Sequence, residues 1–559
     1  MQHFHRLKGL ASRGSHVFQK DNALTRFEIT LNPLPGSVGL PLAANEDRRQ
    51  SSGQRCGRDQ RNATQLRPRQ PLCALRDALT EHLSQRLQNF RFRREPVFVQ
   101  VIVARPTGAE GEFASEQGGI SNQSGKIFKG GKGGHGERNH TIPATNSCAT
   151  SSIECVVAVC FYFQVHQPFR LRNYSVFAND PFYFDNDANE SILHKVADKC
   201  YRPATRLLLD LVRRHEGRFR ISFAITGTAL EQFSRWTPDL VDLWRELAET
   251  GACDFLAETS HHSLSFLYDQ DEFQAQVDGH LALMQSTFGV TPSVFRNTEL
   301  TYDNRLAEWL KADGRFRGVC CEGVDRLLGD GRSPNYVYGP PGTLAAGGKT
   351  SLGVLLKNYR LSDDVAFRFS DRGWSEWPLR AETFAGWLNR INGDGHLCNL
   401  FMDYETFGEH QWAETGIFPF LEKLPEAVFD VDPGQNEFVT CTEAVDRFPA
   451  VGDWDAPEMI SWADSERDLT AWLGNPMQRN AGQELYRLRP AILKRHESGD
   501  EHILEDWRKI TTSDHLYYMC TKYWADGDVH KYFSPYDSPY DAYITFMNVL
   551  DALKRRAQS

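Results

Sequence analysis

The first 150 residues contain no tryptophan and no tyrosine; all 12 Trp and all 18 Tyr lie beyond them. The same stretch holds 22 Lys+Arg against 12 Asp+Glu, so the net charge of −10 conceals an acidic remainder with 41 against 61. Lacking Trp and Tyr, and Gly/Ser/Gln/Lys/Arg-rich at 51–60 and 118–136, this region has no credible core and reads as mostly disordered. Two pieces have local promise, 72–90 as a helix and 96–103 as a strand. Residues 1–151 could be a basic arm for polyanions; an over-extended start of the coding frame is the preferred reading.

Cysteine pairing motifs are missing too. The 12 Cys include one adjacent pair, Cys320–Cys321, and no CxxC spacing, which argues against a disulfide scaffold and points to a reduced, cytoplasmic protein. No apolar run follows the early basic residues, so no signal peptide is evident. The longest apolar run opening the acidic region, 156–165, is too short to span a membrane. What remains is ample: 40% hydrophobic and 12% aromatic residues over 559 positions suffice for two or three domains. An acidic region rich in Trp and Tyr suits a neutral polyhydroxylated ligand better than nucleic acid, whose phosphates want a basic face. For any single Trp, a place in the core is the commoner explanation.

From about residue 152, strand and helix signals alternate. Apolar β-rich runs fall at 156–165, 219–225, 253–257, 293–295, 318–321, 353–356 and 397–402, with helix-period stretches at 191–214, 238–250, 272–288, 303–312 and 381–391. Alternation of this kind implies parallel βαβ units, and seven strands in so short a span predict a closed or nearly closed β/α barrel over 152–460. Beyond 460 the pattern turns helical (464–472, 481–496, 500–510, 515–524, 538–556), a C-terminal helical subdomain over 461–559.

Catalytic side chains of parallel β/α folds collect where strands end. The first run ends in His166-Gln167-Pro168; the third leads to Glu258 with His261, His262 and Ser263 after it. The fourth ends in Arg296-Asn297-Thr298-Glu299 and the seventh in Asp403-Tyr404-Glu405. Any one of these alone is more often a structural ion pair; four strand ends together point to a site. Two carboxylates from different strands, Glu299 and Asp403, suit glycosidic bond cleavage, which needs one ionised and one protonated group. His166 and Glu258 would bind hydroxyls or tune charge.

At these residues the chain resembles glycoside hydrolase family 57, which includes α-amylases, 4-α-glucanotransferases and branching enzymes. The likeness rests on five ordered motifs: His166-Gln167-Pro168; Leu256-Ala257-Glu258-Thr259 with His262-Ser263-Leu264; Phe295-Arg296-Asn297-Thr298-Glu299-Leu300; Phe401-Met402-Asp403-Tyr404-Glu405-Thr406-Phe407-Gly408; and Thr512-Ser513-Asp514-His515. The resemblance implies an incomplete seven-fold barrel and a retaining α-glycosidase on α-1,4-glucans or maltooligosaccharides, with no cofactor and no metal. Glu299 would be nucleophile and Asp403 general acid/base; His166, Gln167, Glu258, His262, Arg296, Glu405, Asp514 and His515 would contact sugar or support the site. Trp412, just past the fourth motif, is a candidate sugar platform. Among members, the lack of further domains leans toward an α-amylase, with glucanotransferase or branching enzyme as alternatives.

Two rivals stand. A metal-dependent deacetylase or α-mannosidase on a related barrel would draw ligands from His166, His261, His262 and Asp403, but Pro168 stands where the mannosidase-like pattern has Asp. A non-catalytic glucan-binding relative would lack one carboxylate; here both are present. No nucleic-acid or membrane partner is expected.

Overall fold

The computed structural model describes residues 14–20, 23–30 and 100–103 as backbone strands, and 157–178, 180–329, 331–522 and 534–559 in full. In the first compact unit, Met1–Asn146, strands β1 (Gly14–Lys20), β2 (Ala23–Thr30) and β3 (Gln100–Val103) form an antiparallel sheet in that order. Strand β3 falls inside the expected strand 96–103. The expected helix 72–90, and most of the stretch expected to be disordered, lie outside the described residues.

The second unit, Ser147–Ser559, contains all the remaining elements. Its seven predicted strands are present: β4 (Val157–Val165), β5 (Ile221–Ile225), β6 (Cys253–Phe255), β7 (Val294–Arg296), β8 (Gly318–Glu322), β10 (Gly353–Lys357) and β11 (Leu397–Asp403). Three short strands were not anticipated: β9 (Val337–Gly339), β12 (Asn436–Phe438) and β13 (Ala450–Asp453). The ring runs β6-β5-β4-β11-β10-β8-β7, every neighbouring pair parallel. Two seams are thin. Strands β10 and β11 share one registered pair, Lys357 with Asn399, and β7 meets the chain after β6 through the single bridge Ala257–Phe295.

Strand β4 is buried at every position, as parallel strands covered on both sides must be. Side chains alternate between two environments because the strand period is two. Val157, Val159, Phe161, Phe163 and Val165 pack outward beneath helices, beside Phe223 and Trp244. Ala158, Cys160 and Tyr162 fill the lumen with Ala224, Leu256, Val294, Cys320, Leu355, Leu397 and Phe401.

Helices close the outside and are well punctuated. Thr226 caps Gly227–Trp236, Asp269 caps Gln270–Phe288 and Asp303 caps Asn304–Asp313, each side chain accepting from the backbone three residues on. The C-terminal helices share a core of their own around Trp472, Trp507, Leu485, Phe546 and Leu550. No helix among the described residues is long and apolar enough to cross a membrane.

Candidate active site

The lumen parity dictates the site. Carrying each lumen series to the C-terminal end of its strand gives seven polar side chains: His166 (β4), Thr226 (β5), Glu258 (β6), Arg296 (β7), Glu322 (β8), Lys357 (β10) and Asp403 (β11). Below them the lumen is packed, so this rim is where polar groups can meet a ligand. The apolar runs 318–321 and 353–356 end one residue before Glu322 and Lys357, so neither residue stands out in the sequence. Counting in twos from Cys320 and Leu355 would have found both.

Glu299 lies three residues past the rim, in a 3-10 turn over Thr298–Leu300 where Glu299 (φ 58°) and Leu300 (φ 51°) are left-handed. That conformation costs about 1–3 kcal/mol for a residue other than glycine and persists only where surroundings enforce it. The enforcer is the segment after β13. Tyr302 and Ile460 exchange backbone hydrogen bonds, the Asn304 amide donates to the Ala456 carbonyl at 2.9 Å, and the Trp462 amide donates to the Glu299 carbonyl at 3.2 Å. Trp462 also binds the side chain: its indole Nε1 donates to Glu299 Oε2 at 2.7 Å. Ser513 Oγ donates to Oε1 at 3.4 Å.

His262, itself left-handed (φ 51°), bridges two carboxylates, Nδ1 to Glu258 Oε2 at 3.2 Å and Nε2 to Glu299 Oε1 at 3.2 Å. Burial resists its charging, but the two carboxylates prevail and raise it to about 9, so it is an imidazolium at neutral pH. Glu258 also accepts from Gln164 Nε2 and faces the buried Arg296 guanidinium at 3.8 Å. Burial pushes Glu258 and Glu299 up, yet His262 and Arg296 hold both below the usual carboxylate range.

Asp403 has the opposite fate. Among the described residues no hydrogen bond reaches its carboxyl. Burial first, then the Glu299 charge, push it up to about 6 against the pull of Arg296 and Lys357. Lys357 belongs to a balanced cluster, within 3.6 Å of Glu322 and 3.5 Å of Asp363, while Arg467 meets Glu322 at 2.7 Å. A carboxyl held ionised beside one that keeps its proton up to about pH 6 can attack an electrophilic carbon and protonate a leaving oxygen.

Not every expected residue reaches this cleft. His166 does: Nε2 meets Asp514 Oδ2 at 2.9 Å, Nδ1 meets Thr226 Oγ1 at 3.1 Å, and its ring stacks on His262 with centroids 4.1 Å apart. Asp514 is thereby held well below the ordinary range, burial notwithstanding. Gln167 and Glu405 turn away together. Gln167 Nε2 donates to the Tyr201 hydroxyl at 2.9 Å, and that hydroxyl donates to Glu405, which burial and the Asp403 charge raise to about 8. His515 is buried beside Tyr518 and Phe546 in the helical core, and burial lowers it to about 4. Gln167, Glu405 and His515 are thus engaged with Tyr201, Tyr518 and Phe546 rather than with the cluster around Glu299. Trp412 is exposed on the loop after β11, with Lys199 Nζ 5.8 Å from its ring centroid.

The four residues of the metal reading do not converge as a ligand set: both nitrogens of His166 and of His262 are engaged, and His261 turns to Ser260 and Glu505. Among the described residues no group of three His, Cys, Asp or Glu is arranged to hold a metal ion.

A seven-stranded parallel barrel with a depressed and a raised carboxyl at its rim is compatible with a glycoside hydrolase, and the family match makes the chain one. Residues 160–457 match the family described as Glycosyl hydrolase family 57, and the chain belongs to that family. A Methanocaldococcus jannaschii protein provisionally named an alpha-amylase is 41% identical over 405 residues, 70% of this chain and 83% of the relative. Among solved structures, the alpha-amylase AmyC of Thermotoga maritima aligns at 13% identity over 71% of this chain and 93% of its own, with TM-score 0.48. The 4-alpha-glucanotransferase of Thermococcus litoralis aligns at 14% identity with TM-score 0.45, covering 65% of this chain, which spans little more than half (56%) of that protein.

Proposed function

We propose that this chain is a retaining α-glycosidase acting on α-1,4-glucans in the manner of an α-amylase, with Glu299 as nucleophile and Asp403 as general acid/base. The observation that carries the reading is the contrast between the two carboxyls: Glu299 accepts from His262 and Trp462 and is held below the usual range, whereas Asp403 accepts no hydrogen bond among the described residues and is pushed up to about 6. Asp403 donates its proton to the glycosidic oxygen as the Glu299 carboxylate attacks the anomeric carbon, forming a glycosyl ester and breaking the bond to the departing sugar. Asp403, now ionised, takes a proton from water; the hydroxide oxygen bonds the anomeric carbon, Glu299 leaves, and the α configuration returns. His166, Glu258, His262, Arg296 and Asp514 line or support the sugar site. The alpha-amylase activity in the provisional name of the M. jannaschii relative favours a glucan. The eight described cysteines are free thiols, which favours a reducing compartment such as the cytoplasm.

The test is turnover of a chromogenic maltooligosaccharide by the wild type beside Glu299→Gln and Asp403→Asn, with the first-formed product's anomer read by NMR. Activity confined to the wild type and an α product are expected. Equal turnover in all three proteins, or a β product, refutes the proposal.

A further inference from the structure

We propose that Trp462 is a positioning residue for Glu299, its indole N–H fixing the carboxylate in the orientation from which it attacks. This rests on the reading of Glu299 as nucleophile given above. Three observations converge on the indole. It makes the shortest of the hydrogen bonds to the Glu299 carboxylate, 2.7 Å against 3.2 Å for His262 and 3.4 Å for Ser513. It comes from the same residue whose backbone amide holds the Glu299 carbonyl, so one residue fastens both ends of a left-handed glutamate. Its ring is already engaged by two buried cations, Arg296 at 5.1 Å and Lys357 at 5.2 Å from the centroid, contacts that fix the ring plane and hence the direction of the N–H.

The chemistry of the donor matters. An indole N–H donates only and does not titrate, whereas the other close donor, His262, is a base that sheds its proton near pH 9. Trp462 therefore supplies a constant hydrogen bond, and carboxylate and ester can both accept it throughout the cycle. The segment bearing it is itself held, by the Tyr302–Ile460 bridge and by Arg467 Nη1 donating to the Trp462 carbonyl at 3.2 Å. A ring acting as a sugar platform would need a free face and would act on affinity; a ring that aims a nucleophile acts on the chemical step.

Trp462→Phe keeps an aromatic ring for the two cations and removes the donor. With a maltooligosaccharide substrate, kcat is expected to fall about 10- to 100-fold, the range for losing a hydrogen bond to a charged group. KM should stay within about three-fold, and the acidic limb of kcat/KM should move to higher pH, because an undonated Glu299 protonates more readily. Should the phenylalanine variant not fold, incorporation of 3-benzothienylalanine at 462, which replaces the N–H by sulfur within the same ring outline, makes the same test. A kcat within about two-fold of wild type with an unmoved acidic limb overturns the proposal. So does a loss confined to KM, which would make Trp462 a sugar platform. Glu299→Gln is the control: residual full activity there sinks the functional reading itself, whereas an inactive Glu299→Gln beside an unaffected Trp462 variant sinks only this inference.

Discussion

His262 carries a positive charge into a pocket where it is 2% exposed, and its removal should be felt with a distinctive pH dependence. Asn is the informative replacement. The residue at 262 is left-handed (φ 51°), a conformation that Asn tolerates better than most residues, so His262→Asn spares the turn and deletes the charge. The imidazolium donates to Glu258 and Glu299 at once, both at 3.2 Å; an asparagine amide is shorter and uncharged. Each hydrogen bond to a charged group contributes roughly 1.5–3 kcal/mol, and breaking a buried ion pair costs about 3–5 kcal/mol. Arg296, 3.8 Å from Glu258, still offsets part of that loss, so a net destabilisation of about 2–4 kcal/mol is expected near neutrality.

The sign follows from the shifts. His262, raised to about 9 from an unfolded value near 6.5, contributes stability fully below about pH 6.5 and loses it as pH rises through 9. Glu258 and Glu299, both depressed, contribute above their unfolded value near 4.3 and lose it as pH falls through their folded values. The deficit of the variant should therefore be greatest between about pH 4.5 and 6.5 and shrink on either side. Urea unfolding of both proteins from pH 4 to 10 measures it. A deficit flat across that range, or below about 1 kcal/mol throughout, refutes a charged bridge at 262.

Two further substitutions probe the neighbourhood of Asp403. Gly408 has φ 117°, and a Cβ there would fall on the Lys199 carbonyl oxygen, so Gly408→Ala should cost roughly 2–4 kcal/mol in urea unfolding; a change under about 1 kcal/mol contradicts the packing described. Glu405→Gln should leave kcat within about two-fold at pH 6.5, because the native carboxyl, raised to about 8, is already neutral there. A folded value raised above the unfolded one means that native Glu405 erodes stability between about pH 4.3 and 8, so the glutamine protein should gain relative to wild type over that interval. A glutamine variant inactive but folded would restore Glu405 to the sugar site.

The barrel was legible because each of its seven strands is an apolar run that ends abruptly in polar residues, and four of the five motifs sit at those ends. What could not be read has identifiable causes. Strands β9, β12 and β13 are three or four residues long and, unlike the equally short β6 and β7, lie in no apolar run: Gly339, Asn436, Glu437, Gly452 and Asp453 interrupt them. The expected helix 464–472 shrinks to Thr470–Leu473, because Asp464 and Arg467 adopt left-handed φ values of 52° and 51°, and Arg467 ties this segment to Glu322 and Asp363 of the barrel. The stretch 481–496 is two helices, Pro476–Arg487 and Arg489–Glu497, the second with Pro490 in its first turn. Glu405 stands two residues beyond Asp403, which would keep lumen parity if the strand continued; the chain instead enters a 3-10 turn over Tyr404–Thr406, and Glu405 accepts from the Tyr201 hydroxyl. Gln167, one residue past His166, has the wrong parity for the cleft. Trp462 reaches Glu299 across 163 residues of sequence, a contact no local pattern encodes.

Glu299 and Asp403 are both largely withdrawn from water, so burial alone would raise both; the donors around each decide the outcome. Glu299 collects three, from Trp462, His262 and Ser513, while Asp403 has none among the described residues and feels Glu299 as a like charge. In the proposed mechanism that coupling does further work. While Glu299 is ionised, its charge helps keep Asp403 protonated up to about pH 6, as an acid must be. Once Glu299 is esterified the like charge is gone, while Arg296, Lys357 and His262 remain and all favour ionised Asp403. Having given up its proton, the same carboxyl therefore stays ionised and is available as the base at the step that requires one. Trapping the glycosyl-enzyme with a slow fluorosugar and titrating Asp403 by carboxyl NMR, assigned with Asp403→Asn, should give a value clearly below about 6. An unchanged or higher value would mean that Glu299's charge does not set the proton affinity of Asp403, and the acid-to-base exchange would need another cause.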